Sequence, residues 1–343
     1  MAVGKQTYII TGAAGHLGST LIRCLLAGDP DVDIHGLILP DEEPVVRGKN
    51  VAYFRGDICN PGSLEMLLTG SQVQNTTVIH TAALITIADK VSERLYEVNV
   101  GGVKNIVEFC RSNHLKRLVH VSSVHALPEL PGDSVIREIS EFSADKVIGA
   151  YAKTKAEGAA LVQNAMDQGL DAVMVFPSGI LGPYDLGRNH LIQMAVDYMQ
   201  GRLPACVHGG YDFVDVRDVA VGCLKAAACG RAGQGYILSG HYMTIENLLA
   251  TIGKYCGRKP VPCIPMWLAR AAAPLVEGYA GLIGKRALFT RYSLHTVTSN
   301  SIFSNEKAQK ELNWCPRPME ETVRDMTEWL SGNTGLNPSR CDT

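Results

Sequence analysis

The chain has 343 residues, a net charge of −2 and 46% hydrophobic residues, enough apolar side chain for a sizeable core in one large α/β domain or two unequal lobes. That charge, with no basic cluster beyond pairs such as Lys116-Arg117, supplies no field to gather nucleic acid or anionic lipid, so nucleic-acid binding is excluded as the expected activity. Ten cysteines without a C-x-x-C pair or a His/Cys ligand spacing predict buried thiols, with no metal centre and no disulfide framework, and the opening MAVGKQTYIITG lacks a signal peptide's apolar core, which predicts a cytoplasmic protein.

Thr7 to Ile10 is a short apolar run that enters TGAAGHLG, after which Leu17, Leu21, Ile22 and Leu25 recur at helical spacing. Strand, glycine turn and helix follow in that order. Gly12, Gly15 and Gly18 then suit a tight turn, a close approach of backbone to pyrophosphate, and tight helix–sheet packing, with the phosphate on the helix N-terminus. Further strands are expected at Ile34 to Leu39, Val51 to Phe54, Val78 to His80, Leu118 to Val121 and Val173 to Phe176, with helical patterns between them. The alternation predicts an α/β fold with a doubly wound parallel sheet. Ligands of such sheets bind at the carboxyl ends of the strands, where Asp57, Thr81, Ala82, Ala83, Ser122, Ser123 and Pro177 fall.

Tyr151 and Lys155 stand four residues apart at the start of a helix-forming run, on one face, where an ammonium can depress the pKa of a phenol. A second such pair, Tyr255 and Lys259, sits in YCGRKP, where a glycine and a proline predict a loop. From Pro183 onward the pattern changes to loops and short helices with one strand-like piece, Gly235 to Ser239. The expected division is a dinucleotide-binding domain over 1–182, a smaller C-terminal substrate lobe over 183–335 interleaved with the sheet, and a flexible tail over 336–343. The apolar stretch 262–288 is interrupted by Arg270, Pro274, Glu277 and Lys285, so it fails as a spanning helix and reads as helices packed over the lobe, with an apolar substrate lid or a peripheral membrane contact as the alternatives.

In order, TGAAGHLG, VNVGGVKNIV, HVSSVHAL and YAKTK resemble the extended short-chain dehydrogenase/reductase family, and FPSGILGP, DFVDVRDVA and SNEKAQKELNWCPRPMEET carry the resemblance over nearly the whole chain. The chain looks most like the branch with dihydroflavonol reductases and 3β-hydroxysteroid dehydrogenases. The resemblance implies a Rossmann domain in which Tyr151 exchanges a proton with the substrate oxygen and Lys155 lowers its pKa and holds the nicotinamide ribose. It implies that Ser123 polarises the substrate carbonyl or hydroxyl and that Asn99 gives structural or proton-relay support. It also implies a cofactor wall of Gly12, Gly15, His16, Leu17, Gly18, Asp57, Ile58, Thr81, Ala82, Ala83, Ser122, Pro177 and Ile180, with Asp57 as the adenine contact.

NAD is expected over NADP. Leu39 stands where NADP-preferring relatives often carry an arginine, and Asp41, 23 residues after Gly18, is placed to bond the ribose 2′-OH, while Arg47 leaves NADP open. The substrate is expected to be an apolar hydroxy or keto compound. Many nucleotide-sugar enzymes of the family carry a diphosphate-gripping arginine immediately before the segment matching DFVDVRDVA, and that position is Tyr211, with Arg217 and Arg188 as candidate substitutes. Trp267, Leu268, Leu275 and Tyr279 can wall such a pocket. The alternatives are a nucleotide-sugar epimerase or dehydratase and a non-catalytic dinucleotide sensor, and a homodimer is compatible with each.

Overall fold

Ile9 and Ile10 are chain neighbours, both fully buried, yet they belong to different cores. Successive side chains of a strand point to opposite faces, so this requires a sheet covered on both sides. The computed structural model describes residues 5–87, 90–185, 189–273 and 290–333. Its first half runs β1 (Thr7–Thr11), α1 (His16–Gly28), β2 (Asp33–Ile38), β3 (Val51–Arg55), α2 (Gly62–Glu65), β4 (Thr76–His80), α3 (Glu93–Tyr96), α4 (Gly102–Ser112), β5 (Arg117–Val121), α5 (Ala150–Asp167) and β6 (Ala172–Pro177). The second half runs β7 (Gly179–Leu181), α6 (His190–Met199), β8 (Cys206–Val207), β9 (Gly210–Asp215), α7 (Val216–Cys229), β10 (Gly235–Leu238), β11 (His241–Thr244), α8 (Ile245–Cys256), β12 (Cys263–Ile264), α9 (Arg291–Thr296), α10 (Glu306–Leu312) and α11 (Met319–Asn333).

Seven strands form one sheet in the order β10-β6-β5-β4-β1-β2-β3, every pair parallel. This is the doubly wound Rossmann-like order, and it reverses between β1 and β4, which opens the ligand crevice at their carboxyl ends. Leu21 and Ile22 of α1 and Val219 and Cys223 of α7 fill one face, while Ile106 and Phe109 of α4 and Ala156 and Val162 of α5 fill the other.

The chain after Pro183 is richer in strands than its pattern predicts. Gly235–Leu238 is no part of a separate lobe sheet; it joins the main sheet as its seventh strand, beside β6. A three-stranded sheet, β11-β9-β7, and a two-stranded one, β12-β8, build the smaller lobe. β9 is buried along its whole length, so it shows no polar–apolar alternation, and β8 and β12 are two residues each, too short for any period. Tyr255 lies in the last turn of α8, not in a loop; Gly257, at φ +74, ends that helix. Among the described residues no helix is long and apolar enough to cross a membrane. The apolar stretch is described only to Ala273, with Trp267 71% exposed, and Leu275, Tyr279, Arg188 and the expected tail lie outside the described residues.

Candidate active site

The turn between β1 and α1 is built from close contacts that only glycine permits. Gly12 takes φ +67, and the Gly15 N–H donates to Gly12 O at 2.9 Å. A Cβ on Gly18 would stand 2.1 Å from Gly12 O. Gly15 caps α1 without a side-chain bond, and the first turn holds no acid, so its N–H groups and the positive end of the helix dipole are left for an anion. The cradle fits a dinucleotide pyrophosphate. Across it, Thr81 donates to Thr11 O at 2.7 Å and the Ala82 N–H donates to Thr11 Oγ1, which brings the start of the Thr81-Ala82-Ala83 segment against the glycine turn. His16 Nε2 donates to Pro183 O at 2.8 Å and fastens the loop after β7 over α1, while Leu17 turns into the core. Pro177 ends β6, and Ile180 lies in β7 of the smaller three-stranded sheet.

At the end of β2 the chain turns back on itself, the Glu42 N–H donating to Leu39 O at 3.1 Å. Asp41 is exposed in the turn beyond the strand, and the carboxylate that folds back over the strand end is that of Glu42, which accepts from the Leu39 N–H at 3.0 Å. Arg55 fixes this turn by donating to the carbonyls of Pro40 and Glu42. Asp57 accepts from Arg94 and from the Cys59 N–H; partial burial pushes its carboxyl up, but these bonds outweigh burial and leave its pKa lowered. Ile58 is buried beneath it, against Gly102.

Tyr151 and Lys155 share the first turns of α5, opposite Ser122 and Ser123 at the end of β5. Burial pushes the Tyr151 phenol up and a hydrogen bond with the Ser123 hydroxyl pulls it part of the way back, leaving it at about 12. Burial also lowers the Lys155 ammonium to about 8, and its Nζ donates to Val121 O at 2.9 Å. In this state the strand end holds the ammonium, and the Ser123 hydroxyl is the group that lowers the phenol. Ser123 Oγ also accepts from the His125 N–H at 3.2 Å, whereas Ser122 Oγ is buried without a protein partner. Asn99 sits in a π-helical turn, Glu97–Gly101, where it accepts from the Leu84 N–H and donates to Leu84 O and Thr154 Oγ1. That bonding braces the segment after β4 against α5.

Two residues of the site were not legible as such. His125 stacks on Tyr211 at 5.6 Å, its ring meets Tyr151 edge-on at 6.0 Å, and its nitrogens bond the hydroxyls of Tyr211 and Tyr292. Tyr292 arrives from α9, and its ring packs on Gly149, the residue before α5. The adjoining cleft is lined by Val124, Leu127, Ile136, Ala152, Tyr211 and Phe303 among others. Arg217, a candidate for gripping a diphosphate, is instead held by Asp215 and Asp325 at 2.7 and 2.6 Å.

Buried histidines predict how the protein responds to acid. Burial, helped by Lys155, lowers His80 to about 3, and burial, helped by His295, lowers His125 to about 4. Both depart from the ordinary 6.5, so the unfolded chain binds these protons first, and stability falls as pH drops below 6.5. At pH 5 each histidine is expected to remove about 2 kcal/mol. The urea midpoint should fall clearly between pH 7 and pH 5; an unchanged midpoint contradicts the neutral, buried state of these rings.

With this geometry in hand, the chain can be set beside known proteins. It is 28% identical over 328 residues to sterol demethylase protein B of Methylococcus capsulatus, covering 95% of this chain and 98% of that one. It is 27% identical over 334 residues to a putative dihydroflavonol 4-reductase of Synechocystis, covering 95% of each. The crystal structure of gox2253 superposes with a TM-score of 0.81 at 28% identity, over 97% of this chain and 99% of the other. The profile of the NAD dependent epimerase/dehydratase family matches residues 8–239, which takes in the glycine cradle, Ser123 and the Tyr151–Lys155 pair: the chain belongs to that family and is an NAD-dependent enzyme of the extended short-chain dehydrogenase/reductase type.

Proposed function

We propose that the protein interconverts a secondary alcohol and a ketone on an apolar small molecule of hydroxysteroid or flavonoid character. The observation that carries this reading is Tyr211, a buried phenol stacked on His125 where a diphosphate substrate needs an arginine fork. The engagement of Arg217 by two carboxylates supports it, since that guanidinium is not free to substitute. So do relatives whose names carry a sterol and a dihydroflavonol. Val124, Leu127, Ile136, Ala152, Tyr211 and Phe303 give the cleft an apolar wall for a ring system, while Glu129, Ser299 and Asn300 supply polar groups and no guanidinium for a diphosphate.

NAD supplies or accepts the hydride when bound, and the chain's own residues position it and manage one proton. The bare N-terminus of α1 and the glycine cradle hold its pyrophosphate, and Glu42 or Asp41 reads the adenosine ribose. Tyr151 gives its phenolic proton to the substrate oxygen in reduction and removes it in oxidation. Ser123 donates to the same oxygen and stabilises developing alkoxide charge. Lys155 holds the nicotinamide ribose and keeps positive charge beside the phenol, and Asn99 keeps α5 in register with the segment after β4.

The test is a panel of hydroxysteroids, flavonoids and nucleotide sugars, read by absorbance of reduced cofactor, with nucleoside diphosphate binding measured by calorimetry. Turnover of an apolar alcohol or ketone is expected. Tight diphosphate binding without alcohol oxidation overturns the reading in favour of an epimerase or dehydratase. With a turned-over substrate in hand, Ser123→Ala should lower kcat by about 10²–10³, the loss of one positioned hydrogen bond to the reacting oxygen.

A further inference from the structure

The smaller lobe gathers thiol, imidazole and carboxylate groups that play no part in the cleft. Cys206 of β8 stands directly opposite Cys263 of β12 in the parallel ladder, and their sulfurs are 2.7 Å apart. His208 follows β8, and Glu246 lies in the first turn of α8. One ligand atom from each of His208, Glu246 and Cys263 lies within 4.8 Å of the other two, and Cys206 stands outside that set, reaching it through Cys263. Cys206 is buried, whereas His208 and Glu246 are exposed, so the cluster opens to solvent on one side.

We propose that Cys206, His208, Glu246 and Cys263 form a four-ligand site for a borderline-soft divalent cation, zinc by preference, which staples β8 and β12 to the start of α8. Two thiolates and an imidazole select zinc over magnesium or calcium, which take oxygen ligands, and four protein ligands make a closed, structural site rather than a catalytic one. A disulfide would account for the two cysteines only; a cation accounts for all four side chains. Tetrahedral zinc with bonds of ~2.3 Å sets two sulfurs roughly 3.7 Å apart, so on binding the thiols must part by about 1 Å and the Cys206 side chain must turn toward His208 and Glu246. Burial first, then Cys263 and the Glu246 charge, push the Cys206 thiol up to about 12. A bound cation reverses that electrostatic balance, and both thiol protons leave as it binds.

The fold, not a sequence spacing, assembles this cluster, which is why the cysteine and histidine positions predict no metal centre. Its place in the lobe gives it a consequence. Val207 of β8 packs in a small cluster with Ala269, Ala273 and Leu294, and Leu294 belongs to α9, the helix that carries Tyr292 to His125. Stapling β8 to β12 therefore firms the wall of the cleft.

The test uses the full chain, reduced and stripped with a chelator, titrated with Zn²⁺ by calorimetry and with Co²⁺ by visible absorption. One cation per chain is expected, with the d–d and thiolate charge-transfer bands of tetrahedral cobalt, a higher thermal midpoint with metal, and weaker binding as pH falls. Cys206→Ser and Cys263→Ser should abolish the charge-transfer band or reduce its intensity by half or more, and His208→Asn and Glu246→Gln should weaken binding at least tenfold. The last two change exposed side chains and keep the test decisive if the cysteine variants fail to fold. The proposal is overturned if reduced wild type gives no cobalt–thiolate band, if the band persists undiminished in Cys206→Ser, or if the isolated protein holds a Cys206–Cys263 disulfide whose reduction brings no metal uptake.

Discussion

Tyr151→Phe is expected to lower kcat by about 10³ or more while NAD affinity changes by less than about threefold. The substitution removes one oxygen and keeps a ring of the same shape, so the contact with His125 and the start of α5 survive. What disappears is the phenol that Ser123 hydrogen-bonds, and with it the proton that must reach the substrate oxygen. Ser123 alone can polarise that oxygen but has no proton to spare at neutral pH. Cofactor binding by fluorescence and single-turnover formation of reduced cofactor separate the two effects. Near-wild-type turnover in the phenylalanine variant would sink the mechanism and move attention to His125, whose ring lies 6.0 Å from that of Tyr151. The discriminating variant is then His125→Asn, which removes an imidazole that is neutral at pH 7 and should alter substrate KM more than kcat if it only shapes the cleft.

The sheet was legible because its strands are short apolar runs separated by helical periods, and each of the first six lies within two residues of its expected position. Parallel strands buried on both faces need no alternation to be found when glycine turns and helices punctuate them. The second half resisted for the opposite reason. β9 pairs with β7 and with β11, each about thirty residues away in the chain, and nothing local in a uniformly buried run announces those partners. Gly235–Leu238 looked like a lobe strand because it comes after the substrate segments, yet tertiary pairing carries it back to β6.

The candidate site divides in the same way. Ser123, Tyr151, Lys155 and the glycines lie in contiguous motifs whose spacing constrains their geometry, and the structure brings them to one end of the sheet. His125 and Tyr292 meet there from positions 167 residues apart, and no pattern in the chain links a histidine two residues after Ser123 to a tyrosine in a short distal helix. Three phenols surround that imidazole, those of Tyr151, Tyr211 and Tyr292. At β2 a count of about twenty residues points to Asp41, which is exposed in the turn beyond the strand. The backbone turns after Leu39, and the side chain that returns to the strand end is the next one, Glu42.

Gly18→Val is the second large effect, and it should show in binding before it shows in chemistry. A Cβ built on Gly18 meets Gly12 O at 2.1 Å and Ala13 Cα at 2.9 Å, both backbone atoms that no rotamer change can move. Relief requires α1 to back away from the turn, which widens the cradle and swings the first-turn N–H groups off the position a pyrophosphate needs. NAD affinity is expected to fall by at least about tenfold, one to two units of 1.4 kcal/mol, and overpacking should lower stability by about 1–3 kcal/mol. Gly28→Ala supplies the control from the other end of the same helix, where an added Cβ meets nothing within 4 Å. Its expected result is unchanged NAD binding and equal or slightly higher stability, since alanine restricts the unfolded chain more than glycine does. If Gly18→Val binds NAD as tightly as the native chain, the pyrophosphate does not rest on this turn, and the close approach of α1 to β1 serves packing alone.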